Sequence, residues 1–324
     1  MGVKTYATAE TLNGLRESRL NALKTLDYED YPFISLIKDG IATNPTHYYQ
    51  TRTLPAPNLA NFNLDGAAVS YSAATSYIPS ANKTAYCQLI INEVSTGFRA
   101  DAVDKAGIGR GKRSSFDDQK ALKMRQAKKD LEAIALSSQV GVASLDDTGT
   151  AGKMDGAKAL ISTANGCTVI DASTYAGGGA TSGQLTETMY NDLAQSVWRK
   201  GGKPPYSIVA EYAQRCINAF GYNHRRTQGV DGKDAAFVVD RYTTSFGVQK
   251  IVLDPYLYLS GATEDLLMID PQYWEFDYLQ VLFFTEDGQA GTKTSGFWTN
   301  DVTLANLAPG ASGKITKIAR SSDI

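Results

Sequence analysis

Residues 44–58, NPTHYYQTRTLPAPN, constrain the fold of this chain more than any other stretch. The stretch contains three prolines, and proline lacks the backbone N–H that a central strand needs. It also lacks the 3.6-residue apolar repeat of an amphipathic helix. With adjacent tyrosines, a histidine and an arginine, it predicts an extended aromatic arm that cannot bury its own side chains.

The residues after this arm predict a long loop. Residues 59–83 are rich in Ala, Ser and Asn, and Asp65-Gly66 marks a turn. Loops of this length are uncommon in compact domains and are usually functional or interactive. Apolar and polar residues alternate from 84 to 98, TAYCQLIINEVSTGF, which predicts a strand.

The strongest helix prediction covers residues 114–139. Ser115 is a suitable N-cap, with Asp118 at the capping-box position. Met124, Ala127 and Leu131 recur at helical spacing and give one apolar face. At 1.5 Å per residue such a helix is about 35 Å long, which is long for a globular protein.

The rest of the chain mixes strand and helix patterns. Residues 150–270 alternate short strands such as CTVID with helices such as LTETMYNDLAQSVWRK, which predicts an α/β domain. Residues 271–324 are strand-rich, and Asp287-Gly288 marks a hairpin. The predicted fold class is therefore α+β.

The composition excludes several classes of protein. A chain of 324 residues that is 43% hydrophobic and 20% charged is globular rather than disordered. Its net charge of −2 argues against a protein that binds nucleic acid mainly through charge. The three cysteines are far apart without CxxC spacing, which predicts reduced, packed thiols. No segment contains the roughly 18 apolar residues of a membrane span.

The sequence contains no recognisable catalytic or metal-binding motif. The two histidines, His47 and His224, are far apart in the sequence, and neither lies in a zinc-binding pattern. The stretch AGIGRGKR, residues 106–113, fails the P-loop pattern because Ala106 and Arg113 replace its first Gly and its final Ser or Thr. We therefore expect no catalytic residue, no cofactor and no metal.

Six ordered motifs carry a resemblance to a known family. They are YPFISLI, ATNPTHYYQTRTLPAPN, LDGAA, the stretch RADAVDK to LEAIAL, VVDRYTTSFGVQKIVLDPYL and LLMIDPQYWEF, and together they span about residues 27–280. Their order resembles the major capsid proteins of tailed bacteriophages with the Hong Kong 97-like fold, and more closely the Salmonella-phage-type family. Tyr48 and Tyr49 stand where that family has a tryptophan.

The resemblance implies a division of the chain into four parts. Residues 1–58 would be the N-terminal arm and 59–95 the extended loop. Residues 96–148 and 271–324 would form the peripheral domain, with a spine helix over 115–139. Residues 149–270 would be the α/β axial domain, which meets its copies at the centre of a capsomer.

The resemblance also implies the partners. The chain would form the pentamers and hexamers of an icosahedral shell, assembled in the bacterial cytoplasm, with scaffolding, portal and decoration proteins as further partners. Contact with packaged double-stranded DNA would be non-specific, and no membrane would be involved. The alternatives are an encapsulin-like cellular shell and an α/β enzyme whose site is assembled only in space. The candidate subunit-interface residues are Phe33, Tyr48, Tyr49, Arg52, Leu54, Phe62, Asp65, Gly66, Tyr71 and Tyr77.

Overall fold

The computed structural model describes residues 30–66, 68–69, 77–102, 115–144, 149–175, 183–220, 241–257 and 263–319. The helices in these ranges are α1 (Pro32–Leu36), α2 (Phe98–Ala102), α3 (Ser115–Ala135), α4 (Ala157–Leu160), α5 (Glu187–Arg199) and α6 (Glu211–Ala219). The strands are β1 (Lys38–Ile41), β2 (Thr46–Thr51), β3 (Ala81–Tyr86), β4 (Gln88–Gly97), β5 (Thr168–Asp171), β6 (Tyr206–Val209), β7 (Arg241–Thr244), β8 (Gly247–Leu253), β9 (Thr263–Ile269), β10 (Trp274–Ala290), β11 (Lys293–Asn306) and β12 (Gly313–Ala319).

A four-stranded sheet has the strand order β1-β10-β11-β4. Its centre is the long antiparallel hairpin of β10 and β11, and β1 pairs in parallel with only Glu275–Tyr278 of β10. Side chains alternate along the edge strand β4, where Ile90 and Val94 are buried while Leu89 and Ile91 are exposed. This alternation follows from the two-residue period of a strand that has one covered face.

Helix α3 covers the inner face of this sheet. The Trp298 indole N–H donates a hydrogen bond to the carbonyl oxygen of Lys120 at 2.9 Å. Nearly three turns further along the helix, the Asn92 amide donates to an Asp130 carboxylate oxygen at 2.8 Å. These bonds join the helix to β11 and β4, so the helix is fixed to the sheet at two separate points.

The structure corrects the predicted end of the spine helix. The helix was expected to reach residue 139, but α3 ends at Ala135. The Ser137 hydroxyl donates to the carbonyl oxygen of Ile134 at 2.7 Å, and the Gln139 carbonyl accepts from Gly156 N–H. These bonds satisfy the backbone outside a helical repeat, because serine competes for nearby backbone groups at helix ends.

A six-stranded mixed sheet has the order β5-β12-β9-β6-β8-β7, and α5 and α6 pack on one of its faces. The last strand, β12, was expected in the peripheral domain with the rest of residues 271–324. It instead pairs in parallel with β5 and antiparallel with β9. The physical reason is burial: Ile315 and Ile318 of β12 are fully buried in the core of this sheet.

The boundary between the arm and the extended loop also differs from the predicted one. Strand β2, which falls within the predicted arm 1–58, pairs along its length with β3 as a two-stranded antiparallel hairpin. Strand β4 pairs with β11 and so belongs to the four-stranded sheet, although most of it falls within the predicted loop 59–95. The described structure therefore places the base of the loop at residues 46–51 and 81–86. The other domain limits remain predictions.

Two hydrophobic cores fill the body of the subunit. One lies between the four-stranded sheet, α1, α3 and one face of the six-stranded sheet, and its largest fully buried side chains are those of Phe33, Trp274 and Phe276. The other lies between α5, α6 and the opposite face of the six-stranded sheet, around Tyr190 and Leu193. The six-stranded sheet is therefore covered on both faces, as a mixed α/β layer requires.

Candidate subunit interface

The β2–β3 hairpin is anchored to its own subunit by one of its faces. His47 and Tyr49 of β2 point toward the body, while the intervening Tyr48 is 69% exposed. His47 Nε2 lies 3.5 Å from an Asp277 carboxylate oxygen on β10. On the partner strand, Lys83 Nζ donates to the Asn165 side-chain oxygen at 3.2 Å. These contacts hold the base of the hairpin and fix which face it turns outward.

Tyr49 shows how closely this base is packed. Burial raises the pKa of the Tyr49 hydroxyl, and a hydrogen bond with the backbone of Asn306 opposes that rise. The carboxyl group of Asp277 is buried as well, which raises its pKa, while the nearby His47 lowers it. Tyr49 of β2 and the Asp277 carboxyl group that faces His47 therefore lie against protein rather than against water.

The loop beyond the hairpin differs from its packed base, because the large apolar side chains of the loop are exposed to solvent. Phe62 is 81% exposed, Leu59 98% and Leu64 84%. Leu54, Val69 and Tyr77 are exposed to a similar degree. No described residue of this loop, 52–66, 68–69 or 77–80, belongs to a helix or strand.

The exposure of so many large apolar residues on one segment indicates a binding surface. Burying a Leu or Phe side chain contributes about 1.5–3 kcal/mol, so each exposed one leaves a comparable free energy unused in the isolated chain. Scattered exposed apolar residues are ordinary, whereas contiguous ones mark interaction sites. The anchored hairpin and its exposed loop are therefore the candidate functional site.

Comparison with protein families identifies the chain. The model of the SU10 major capsid protein family matches residues 3–319. The chain belongs to the SU10 major capsid protein family. It is therefore a structural subunit of a phage capsid, and the resemblance stated from its motifs is confirmed. Family membership also implies a structural role in place of an enzymatic one. Among curated proteins, none matches the sequence significantly.

Solved structures with the same fold are capsids and an encapsulin. The capsid of a native GTA particle superposes with a TM-score of 0.65 at 12% identity, covering 98% of this chain and 100% of that one. A chain from Mycobacterium phage Bobi gives 0.58 at 12%, covering 96% and 98%. The SrpI encapsulin of Synechococcus elongatus gives 0.59 at 9%, covering 98% and 97%. At these identities the matches establish the fold, which is Hong Kong 97-like as predicted, and the family model favours the phage capsid over the encapsulin.

One predicted interface residue of the capsid subunit lies elsewhere. Phe33 is completely buried in the subunit's own core, where its ring packs edge-on against Trp274 and Phe276. It offers no surface to a neighbour, so its expected interface role is corrected to that of an internal anchor. The cause is the α1 turn, which the extended-arm interpretation did not include.

The other predicted residues divide by face and position. Tyr49 is half-buried against its own subunit, whereas Tyr48, Arg52, Leu54, Phe62, Asp65, Gly66 and Tyr77 are all exposed. Asp65 and Gly66 form a turn, and Gly66 has a φ of 77°, which glycine adopts without strain. Tyr71 lies outside the described residues. The exposed set stays a prediction for the interface.

Sequence reasoning missed three exposed residues of the same loop, Leu59, Leu64 and Val69. A signal for one of them, Leu64, is present in the sequence. In LANFNL, residues 59–64, Ala60, Phe62 and Leu64 alternate with two asparagines, which is the two-residue period of a strand with one apolar face. The alternation is too short to stand out against a background of Ala, Ser and Asn.

Among the described residues, no group of three or more His, Cys, Asp or Glu side chains is placed to hold a metal ion. All three cysteines are buried free thiols, and burial raises the pKa of each. His224 lies outside the described residues. In the part of the chain that the structure describes, no helix is long and apolar enough to cross a membrane.

Proposed function

We propose that copies of this chain assemble into hexameric and pentameric capsomers of an icosahedral shell that encloses double-stranded DNA. The observation that carries the proposal is the loop after β2, whose apolar residues are exposed while its base is fixed to the body. A fixed arm with an unfilled apolar surface fits a contact made with another copy of the same chain.

The geometry of such a contact favours rings. A surface on one copy that binds a different surface on the next is a heterologous contact, and a closed set of these contacts gives a cyclic oligomer. Five- and six-membered rings of one chain then build a closed shell. In this arrangement the six-stranded sheet and its helices face the ring axis, and the four-stranded sheet with α3 lies at the periphery.

The remaining partners follow from the same role. Scaffolding, portal and decoration proteins would contact the shell, and assembly would take place in the bacterial cytoplasm. DNA would contact the shell without sequence preference, because phosphate contacts carry no sequence information. The net charge of −2 supports weak contact.

Particle size tests the proposal directly. The full chain is expressed alone and with its scaffolding protein, and the products are measured by light scattering and electron microscopy. We expect megadalton closed shells or capsomer rings. A strictly monomeric, thermally stable chain under both conditions would contradict the proposal, as would a small soluble oligomer with no ring.

A further inference from the structure

The middle of helix α3 carries a run of positive charge, residues 119–129, which we call the basic stretch. It contains no acidic side chain and five basic ones, which are Lys120, Lys123, Arg125, Lys128 and Lys129. The other residues of the chain include 32 − 5 = 27 basic and 34 acidic side chains, so they are acidic overall. At 1.5 Å per residue, the five basic residues extend over about 14 Å of the helix axis.

The acidic residues that follow the basic stretch on α3 are bound elsewhere. The two carboxylate oxygens of Asp130 accept hydrogen bonds from the side-chain amides of Asn92 and Gln126, at 2.8 and 2.7 Å. Glu132 is fully buried, and its oxygens accept from the N–H groups of α1. These carboxyl groups are therefore bound to groups outside the basic stretch or, through Gln126, to an uncharged one.

Most side chains of the basic stretch are accessible at the surface of the subunit. Arg125 and Lys128 are exposed, and Lys123 and Lys129 are half-buried. Within the described residues, neither Lys123 nor Lys128 forms an ion pair or a side-chain hydrogen bond. In the described structure the ammonium groups of these two lysines can therefore bind an external anion.

The basic stretch and the β2–β3 hairpin lie on opposite faces of the four-stranded sheet. Trp298 of β11 faces α3, because its indole N–H donates to the helix. Thr303 is five residues further along β11, so its side chain points to the other face. Asp277 lies beside Thr303 in register and contacts His47 of the hairpin. One face of the sheet thus presents the hairpin and the other presents the positive charge of α3.

The chemistry of this surface fits duplex DNA better than a protein segment. None of the large apolar side chains exposed in the described structure belongs to α3, whereas protein interfaces depend on buried aromatic and apolar anchors. Duplex DNA carries one negative charge per 1.7 Å of its axis, which is about eight charges over 14 Å. Long basic side chains along a straight helix can contact such a uniform charge without reading a sequence.

We propose that the basic stretch of α3 contacts the phosphate groups of the enclosed DNA, so that the α3 face of the four-stranded sheet forms part of the inner surface of the shell. This inference rests on the proposed shell function. A single subunit makes few such contacts and binds DNA weakly, but every copy in the shell repeats them. The anchored hairpin then lies on the outer side of the sheet.

The salt dependence of DNA binding tests the contact. Lys123→Gln and Lys128→Gln are combined in one full-length chain, and binding of a short fluorescent duplex to the unassembled chain is measured by anisotropy over a series of salt concentrations. Each phosphate contact contributes about one to the slope of log affinity against log salt concentration. Lys120 is left unchanged, because its ammonium group lies 3.8 Å from the centroid of the Phe284 ring.

A matched control removes the same charge elsewhere, through Lys250→Gln and Lys293→Gln at two exposed sites on β8 and β11. We expect the α3 variant to lower the slope by about two and the control to leave it unchanged. An unchanged slope for the α3 variant would overturn the inference, and so would an equal fall in the control. Absence of duplex binding to the unmodified chain at the lowest salt concentration would also overturn it.

Two further measurements separate charge from fold and DNA from an acidic protein. Lys123→Arg with Lys128→Arg keeps both charges and should retain the slope of the unmodified chain, whereas a loss of slope in this variant would overturn the inference. Polyglutamate of the same charge as the duplex represents an acidic protein segment, and tighter binding of polyglutamate than of the duplex would overturn the inference as well.

Electron microscopy of the same chains separates this inference from the proposed function. We expect the α3 variant to form shells as the unmodified chain does, because the substituted side chains lie on the surface that faces the DNA. Normal shells together with an unchanged slope would overturn the inference alone. Failure of the unmodified chain to form any shell or ring would contradict the proposed function.

Discussion

Two buried glutamates cap helices that cannot cap themselves. Helix α1 begins after Tyr31 and α6 after Ala210, and neither residue's side chain makes a capping hydrogen bond. Glu132 accepts from the N–H groups of Phe33 and Ile34 at 2.7 and 3.0 Å. Glu264 serves α6 in the same way, accepting from two N–H groups of its first turn. A carboxylate at a helix N-terminus satisfies unpaired donors and complements the helix dipole.

Glu132 also faces a second buried carboxyl group, that of Asp254. Burial raises the pKa of Glu132 from 4.5 to about 8, and Asp254 contributes to the rise. A hydrogen bond between the two carboxyl groups raises the pKa of Glu132 and opposes the rise that burial causes at Asp254, so the pair shares a proton. Asp254 Oδ2 has no other hydrogen-bond partner within the described residues. The pair joins α1, α3 and the segment after β8.

This pair predicts a pH dependence of stability. The folded chain retains a proton that the unfolded chain loses near pH 4.5, so the free energy of unfolding falls as the pH rises from about 4.5 to about 8 and changes little above that. Asp254→Asn keeps the oxygen that accepts from Tyr256 N–H and supplies an N–H to Glu132 in place of the shared proton. We expect the variant to lose much of this fall, measured as melting temperature against pH. The exposed-site variant Asp287→Asn serves as the control, and an unchanged profile for Asp254→Asn would contradict the assignment.

At the scale of elements, α1 fixes the start of the described arm to the core. Phe33 lies between Trp274 and Phe276, and the two N–H groups of α1 are bound by Glu132. The helix has only five residues, so it depends on these contacts for its stability.

Removing the Phe33 ring therefore tests whether this residue is an internal anchor. Truncating a buried Phe costs about 3–5 kcal/mol, so we expect Phe33→Ala to reduce the free energy of unfolding of the unassembled chain by about that amount. Leu54→Ala, an exposed apolar control, should change it by less than about 0.5 kcal/mol. Denaturant titration measures both. Equal stability of Phe33→Ala and the unmodified chain, with assembly lost, would restore the interface role.

For the extended loop we expect the opposite result, which is a loss of assembly without a loss of stability. Replacing residues 62–80 by a short Gly-Ser hairpin removes Phe62, Leu64 and Tyr77, which make no contribution to the core of their own subunit. We expect the melting temperature of the unassembled chain to stay unchanged and shell formation to be lost, because the removed contacts recur around the shell. A lowered melting temperature with normal shells would show that the loop packs on its own subunit.

Elements with local signals could be predicted from the sequence, and those fixed by distant partners could not. The α5 helix, the β6 strand and the Asp65-Gly66 turn follow from apolar periodicity and turn chemistry. The Asp287-Gly288 hairpin was placed too early, since the β10–β11 pairing continues to Ala290 and Lys293. The burial of Glu132 could not be predicted from the sequence, because its partner Phe33 lies 99 residues away. Of the candidate interface, the exposed loop was predictable from its composition, whereas its anchoring through Asp277 and Asn165 could be seen only in the fold.

At the scale of the whole molecule, the net charge limits how strongly the shell can bind DNA. The chain has 32 basic and 34 acidic residues, so it has no overall attraction for a polyanion. We expect weak binding to duplex DNA that does not distinguish sequences and weakens as salt increases. Gel-shift titrations of two unrelated duplexes at several salt concentrations measure this. Tight binding to one of the two sequences would contradict it.

The place of β12 in its sheet has a consequence for synthesis. In the described sheet β5 pairs only with β12, and the register joins Thr168 to Gly313, which are 313 − 168 = 145 residues apart. A ribosome must therefore translate nearly the whole of this sequence before β5 finds its neighbour, and pairing over such a distance is slow. Nascent and prematurely terminated chains would lack β12 and so would leave β5 unpaired, and such incomplete copies would not be folded well enough to join the growing particle.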